Sequence, residues 1–386
     1  MGVSAAVKPV SKWLLAGGAV LLAGFYLGCG TGPTERRKAV HKPSQPKSAI
    51  SGLVIAQPRR TVTTTESRAP GLMDLSSPAR RQEYYDALLD KDTVALWALW
   101  NQFLDQDDPN ASMAWLLIGE ALSLRLREQP DPDTLEAIAA ALNAADASPA
   151  LRQQLPLIVA RAATPETLSL LIDKVINETD LEQRRLYQEA IETAANTQWG
   201  QRFHPELSPP LEAAWSEQWL QQDPEVLNTL ALAIARIGAP DGVNLLLDTL
   251  ASGGASIEEI EAARQPHVLA AVQALASVRN PDAAALLRQR MEHSQPENPV
   301  FLASGNALAN IGGPAATQAL LDWAQNATAE TSDLARRWFS RLRDNRSIAL
   351  AQARLANKQP FRSEQIRSIL ESSLDAVRNE LRKQLP

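Results

Sequence analysis

Cysteine and histidine are nearly missing from this chain of 386 residues: there is one cysteine, Cys29, and the histidines are His41, His204, His267 and His293. A lone thiol excludes an intramolecular disulfide and a cysteine-based metal cluster. The histidines are scattered, with no pair at ligand spacing on one helix, so no metal site is expected. His204, His267 and His293 read as surface or capping residues. A glycine-rich phosphate loop, a nucleophile elbow and an HExxH segment are all absent. Two acidic groups, Glu258, Glu259 and Glu261 and then Asp105, Asp107 and Asp108, lack calcium-loop spacing and read as solvated helix starts. The sequence therefore supplies no catalytic residue, no cofactor-binding residue and no cofactor, and the chain is read as not an enzyme.

Strong local order comes from another source. Alanine and leucine dominate from Leu88 onward, in a chain that is 45% hydrophobic and 21% charged, which favours helix over strand. Aromatic residues are few, yet nine are tryptophan, a side chain that fills gaps between helices. The net charge of −6 conceals a division: residues 1–70 carry +8, residues 331–386 carry +6, and the body between them carries −20. An acidic body argues against nucleic acid as a partner, because phosphate binding needs concentrated positive charge. The basic C-terminal part is suited to an acidic partner or to lipid headgroups. Its densest cluster, Arg336, Arg337, Arg341, Arg343 and Arg346, is the candidate basic interaction patch.

At the other end, Lys8 and Lys12 precede 17 uncharged residues from Trp13 to Cys29. A helix of that length spans about 25 Å, the short limit for crossing a bilayer core. Tyr26-Leu27-Gly28-Cys29 resembles the lipobox of bacterial lipoprotein signals, which makes Cys29 the candidate lipidation site; Tyr26 departs from the leucine usual there. Three fates stay open for residues 1–30: a retained signal anchor, a lipidated signal, or simple cleavage. Residues 31–75 are rich in proline, threonine and basic side chains without an apolar period, and read as a disordered linker. The short N-terminus favours export, with a bacterial inner-membrane anchor and the body in the periplasm. Basic residues Arg36, Arg37, Lys38, Lys42 and Lys47 after the apolar run pull toward a cytoplasmic body, and an outer-membrane lipoprotein is the remaining placement.

Three stretches align: Ala231-Leu-Ala-Ile-Ala-Arg-Ile-Gly-Ala-Pro240, Val272-Gln-Ala-Leu-Ala-Ser-Val-Arg-Asn-Pro281 and Gly305-Asn-Ala-Leu-Ala-Asn-Ile-Gly-Gly-Pro314. A second apolar run follows each proline, so the unit is helix, turn, helix. Leu232, Leu275 and Leu308, with Ile237, Val278 and Ile311, are expected on the inner stripe. Gly238 and Gly312 suit a left-handed helix end, and the proline suits the next helix's first turn. Related units around Pro165 and Asp344 bring the array to five or six.

These residues resemble HEAT or HEAT-like (armadillo-type) repeats over about residues 150–355. The resemblance implies an all-α, right-handed α-solenoid of helical hairpins. Residues 76–150 then read as an N-terminal helical cap, 151–355 as repeats and 356–386 as a C-terminal helix. The function expected is a non-catalytic, membrane-tethered scaffold or adaptor that binds a protein or peptide partner. Two other readings stand beside it: an envelope component contacting lipid or cell-wall polymer, and an enzyme built from dispersed carboxylates in the solenoid groove.

Overall fold

Small polar residues stand directly before proline again and again in this chain, and helices start there. Ser77, Asp108, Asp131, Ser148, Thr164, Asp223 and Asn298 each accept a hydrogen bond from a first-turn N–H of the helix they open, with proline following as the first helical residue. Such a cap contributes about 1 kcal/mol, and proline there gives up an N–H that has no intrahelical partner. The computed structural model describes residues 74–104, 108–144, 147–197, 203–218, 223–357 and 361–384. The apolar segment 13–29, Cys29, His41 and the linker as far as residue 73 lie outside the described residues. Among the described residues no helix is long and apolar enough to cross a membrane.

The described helices follow one another in pairs in chain order. The first two pairs are α1 (Pro78–Leu89) with α2 (Thr93–Phe103) and α3 (Pro109–Glu128) with α4 (Pro132–Asn143). Next come α5 (Pro149–Ala162) with α6 (Pro165–Asn177), α7 (Leu181–Asn196) with α8 (Ser208–Gln218), and α9 (Pro224–Ile237) with α10 (Pro240–Gly253). A short insert, α11 (Ile257–Ala263), precedes α12 (Pro266–Leu275) with α13 (Ala284–Glu292). The series ends with α14 (Pro299–Ile311) and α15 (Gly313–Asn326), α16 (Ser332–Phe339) and α17 (Asn345–Ala356), and a closing helix α18 (Glu364–Gln384). The insert α11 accounts for the longer spacing from Pro240 to Pro281 than from Pro281 to Pro314.

Two layers result. The first helices of successive pairs, α1, α3, α5, α7, α9, α12, α14 and α16, pack each on the next and end on α18. The second helices form the other layer and wedge against the next first-layer helix, as α6 does on α7, α10 on α12 and α13 on α14. No strand occurs among the described residues. Six pairs fall between Pro149 and Ala356, and two more precede them.

Counting back from the position of the aligned proline at each second-helix opening, namely Pro165, Pro240, Pro281, Pro314 and, in the last pair, Asn345, exposes the repeat's register. Six and three residues earlier stand Val159 and Ala162, Ile234 and Ile237, Leu275 and Val278, and Phe339 and Leu342, all buried. Leu308 is buried at the same register, while Ile311 is partly exposed against the core. The inner residue of α9 is thus Ile234 and not Leu232, which is half-exposed: the alignment places Leu232 opposite Gln273 and Asn306, two residues off the inner stripe. Gly238 does close α9 in the left-handed region, at φ 63 and ψ 27. Gly312 differs from the expectation. Its φ of 61 comes with ψ −156, a positive-φ conformation outside the left-handed helical well that glycine tolerates, and the chain passes from it straight into α15.

Four residues before the same opening lies a rung that ties one repeat to the one before. Arg161 pairs with Glu120 of α3 at 3.9 Å, and Arg236 with Glu192 of α7 at 2.8 Å. Asn310 donates to the Ala276 carbonyl of the preceding repeat at 2.8 Å, and Arg341 donates to Asn310 at 2.5 Å. Tryptophans fill the interhelical space. Trp97, Trp100 and Trp115 stack near-parallel, at 12° and 23°, whereas Phe301, Trp323 and Trp338 meet at steeper angles, with Trp323 and Trp338 edge to face. Gly305 takes the place of Ala231 and Val272 because the Trp338 indole lies there; a Cβ at Gly305 would fall 2.1 Å from its ring.

Candidate functional site

Side chains on the solvent side of the second layer do not serve packing, so their composition is free for other uses. On α4 these are Asp133 and Glu136, on α6 Glu166 and Asp173, on α8 Glu217 and on α10 Asp241, all exposed. None of the six forms an ion pair with a described residue. Unpaired charges of one sign on consecutive helices sum to a negative potential that reaches about 8–10 Å into solvent at physiological salt. Between α8 and α10 the strip deepens into a cleft of about 470 Å³ lined by Pro209, Glu212, Ala213, Asp241, Leu245 and others. Glu212 accepts from the Ser208 hydroxyl at 2.6 Å, which fixes one wall. Asp248 closes the far end, where Arg290 of α13 reaches it at 2.5 Å.

From α13 onward the same layer is neutralised. Arg288 of α13 and Arg354 of α17 both contact Asp322 of α15, at 3.1 and 2.5 Å, and Arg288 also bonds Glu292 at 2.7 Å. The hydrogen bond to Glu292, that residue's charge and Asp322 together hold the Arg288 guanidinium above its ordinary value.

The five arginines of the expected basic patch do not form one surface. Arg336 and Arg337 are exposed in the last turn of α16, where cations suit the negative helix end; Arg336 bonds Asp333 at 3.2 Å. Arg346 is exposed in the first turn of α17, beside Asp344. Hydrogen bonds from the Ser347 backbone and hydroxyl, with the charge of Arg346, hold the Asp344 carboxyl below the usual range against a slight desolvation. Only Arg341 and Arg343 converge, lining a cavity of about 250 Å³ at the α14–α15 turn. Arg343 donates through Nη1 to the Ser340 and Leu342 carbonyls, at 2.7 and 2.8 Å, the same two bonds that Arg279 makes to Ala276 and Val278 at its own turn. Burial, and then the like charge of Arg341, hold the Arg279 guanidinium below its ordinary value. Positive charge is therefore concentrated along this edge of the stack.

Two of the histidines are buried rather than at the surface. His204 is 9% exposed and His267 8%, while His293 sits at the exposed end of α13. His204 lies between Arg127 of α3, 3.2 Å from Nε2, and Glu206, 2.7 Å from Nδ1. The contact ties the segment ahead of α8 to α3, across 77 positions of sequence. No periodicity in the sequence announces it, since neither partner lies on a repeat position. Among the described residues no three His, Cys, Asp or Glu side chains are grouped to hold a metal ion.

Comparison with known proteins bears on the repeats. The family model described as HEAT repeats matches residues 256–338, the span from the start of α11 to Trp338. Among solved structures, the chain is similar to human deoxyhypusine hydroxylase in complex with glycerol, at 16% identity over 78% of this chain and 100% of that one, with a TM-score of 0.25. It is also similar to an engineered protein, at 15% identity over 80% and 97%, with a TM-score of 0.24. At such scores neither likeness carries over to function. A search of curated proteins finds no match. The helix pairs and the match across α11–α16 agree, and the chain carries HEAT-like repeats in an all-α array.

Proposed function

We propose that this chain is a non-catalytic scaffold, tethered to a membrane by its N-terminal segment, that holds a protein or peptide partner along the second-layer face of its helices. The observation that carries the reading is the strip of exposed acids Asp133, Glu136, Glu166, Asp173, Glu217 and Asp241, none of which forms an ion pair with a described residue. Charges that do not hold the protein together are available to choose what docks on it. The partner's docking segment bears lysine or arginine, since complementary charge speeds encounter and rejects wrong partners. Tethering through residues 1–30, in the inner membrane with the body in the periplasm, raises the concentration of that face near membrane partners.

A charge-reversed chain tests this: Glu136→Lys, Glu166→Lys, Glu217→Lys and Asp241→Lys together. In-cell crosslinking followed by purification from the membrane fraction recovers a specific partner with the native chain and loses it with the reversed one. A partner retained at full yield by the reversed chain sinks the assignment of this face. The intact mass of the mature N-terminus decides among anchor, lipidation at Cys29 and cleavage.

A further inference from the structure

Equivalent turns in successive repeats are filled differently. At the α9–α10 turn the next repeat supplies Asn280, which is 1% exposed, packs against Gly238 and donates to the Ile237 carbonyl at 3.1 Å. At the α14–α15 turn the corresponding residue of the next repeat is Asp344. Both residues cap the helix that follows, Asn280 accepting from the Asp282 N–H and Asp344 from the Ser347 N–H at 2.9 Å and hydroxyl at 3.1 Å, but Asp344 has no amide N–H to donate back to the preceding turn. No atom lies within 4 Å of where a Cβ would stand on Gly312 or Gly313. A cavity of about 250 Å³ lies at this turn, lined by Gly312 and Gly313 and by Asp344 among others.

Three features of this cavity suit a hydrogen-bond acceptor, beside one acid, Asp344, that also lines it. Arg341 and Arg343 line it, and Arg343 commits only Nη1 to backbone carbonyls. The 14-residue helix α15 opens there on Gly312 with no side-chain cap, so the positive end of its dipole is uncompensated. Thr317 also lines it, 1% exposed, with an Oγ1 that has no hydrogen-bond partner. A buried hydroxyl without a partner is costly, and native proteins rarely keep one without a reason.

We propose that this cavity seats a carboxylate side chain from an acidic protein segment. Its volume is below the ~300–1,000 Å³ of small-molecule pockets and accommodates one side chain. The Asp344 carboxylate at its rim disfavours a doubly charged phosphate and leaves a singly charged carboxylate as the better fit. Two arginines offer the paired N–H geometry that carboxylates accept, and the Thr317 hydroxyl gains an acceptor. The proposal rests on the reading of the chain as a protein-binding scaffold, and it uses a surface separate from the acidic strip.

The test uses the full chain and three probes: a fluorescent hexaglutamate peptide, a fluorescent hexalysine peptide and inorganic phosphate. Arg343→Gln weakens hexaglutamate binding by about tenfold, the loss of one charge-assisted contact. Thr317→Val, which keeps the shape and removes the hydroxyl, weakens it by about threefold while the free protein melts no lower than the native chain. Hexalysine binding is unchanged by both and is lost on reversal of the acidic strip, so failure of the strip and failure of this cavity are told apart. Hexaglutamate affinity unmoved by both substitutions overturns the proposal. So does phosphate binding that is tighter than that of hexaglutamate and sensitive to the same two changes, which makes the cavity a phosphate site.

Discussion

The second-layer helices before α11 and those after it use their charges in opposite ways. In α13, α15 and α17, arginines and acids on neighbouring helices meet, with Asp322 held between Arg288 and Arg354. In α4, α6 and α8, the exposed acids meet nothing basic. Charge in the C-terminal part is mortar between repeats; in the N-terminal part it is surface. The contrast teaches that a repeat's solvent face can be spent on holding the stack or on meeting a partner, and that ion pairing shows which.

The largest expected effect lies in the C-terminal part, where the fit is closest. Gly305→Ala places a methyl group within 2.1 Å of the Trp338 ring, which is itself fully buried between Phe301 and Trp323. Either α14 shifts or the indole leaves its bond to Asn306. A loss of about 3 kcal/mol is expected, at the upper end for overpacking a core, measured by urea denaturation. A variant as stable as the native chain would mean that α14 and α16 are loosely joined, and the contrast in fit between the two regions would vanish.

A smaller effect sharpens the contrast in charge. Asp322→Ala removes the carboxylate from Arg354, whose side chain is only 15% exposed and keeps its bond to Gln325, and one of the two partners from Arg288. The cost is about 1–2 kcal/mol, more than an exposed pair because a largely buried guanidinium loses its charged acceptor. The matched change in the other region, Glu136→Ala, stays within about 0.5 kcal/mol, as expected of a surface position without contacts. Equal losses from the two variants, in the same denaturation assay, would show that the acidic strip does structural work after all.

Much of the architecture could be read from local chemistry. The cap-proline steps from Ser77-Pro78 to Asn298-Pro299 mark helix starts one by one, and the three aligned turns mark the register. The error at Leu232 arose because an alanine-leucine helix offers two plausible apolar stripes, and only the neighbouring helices decide which one faces inward. The candidate site was far less legible. Arginines 336 to 346 are close in sequence, yet the end of α16 and the turn that follows send Arg336 and Arg341 to different surroundings. Thr317 and Asp344 line one cavity although they belong to successive repeats, a relation between positions that no single repeat records.

The smallest effect separates the two regions by pH instead of by mutation. His267, at the start of α12, is 8% exposed, and burial holds its pKa below the ordinary histidine range. The folded chain therefore keeps this ring neutral where the unfolded chain, near a pKa of about 6.5, takes up a proton. Stability from this source is complete above that value and is lost as pH falls through it toward the lower folded pKa. A drop in melting temperature between about pH 7.5 and 5.5 is expected from this ring of the C-terminal repeats, and His267→Gln flattens it. If the drop persists undiminished in that variant, the pH response originates elsewhere in the stack, and acid does not distinguish the two regions.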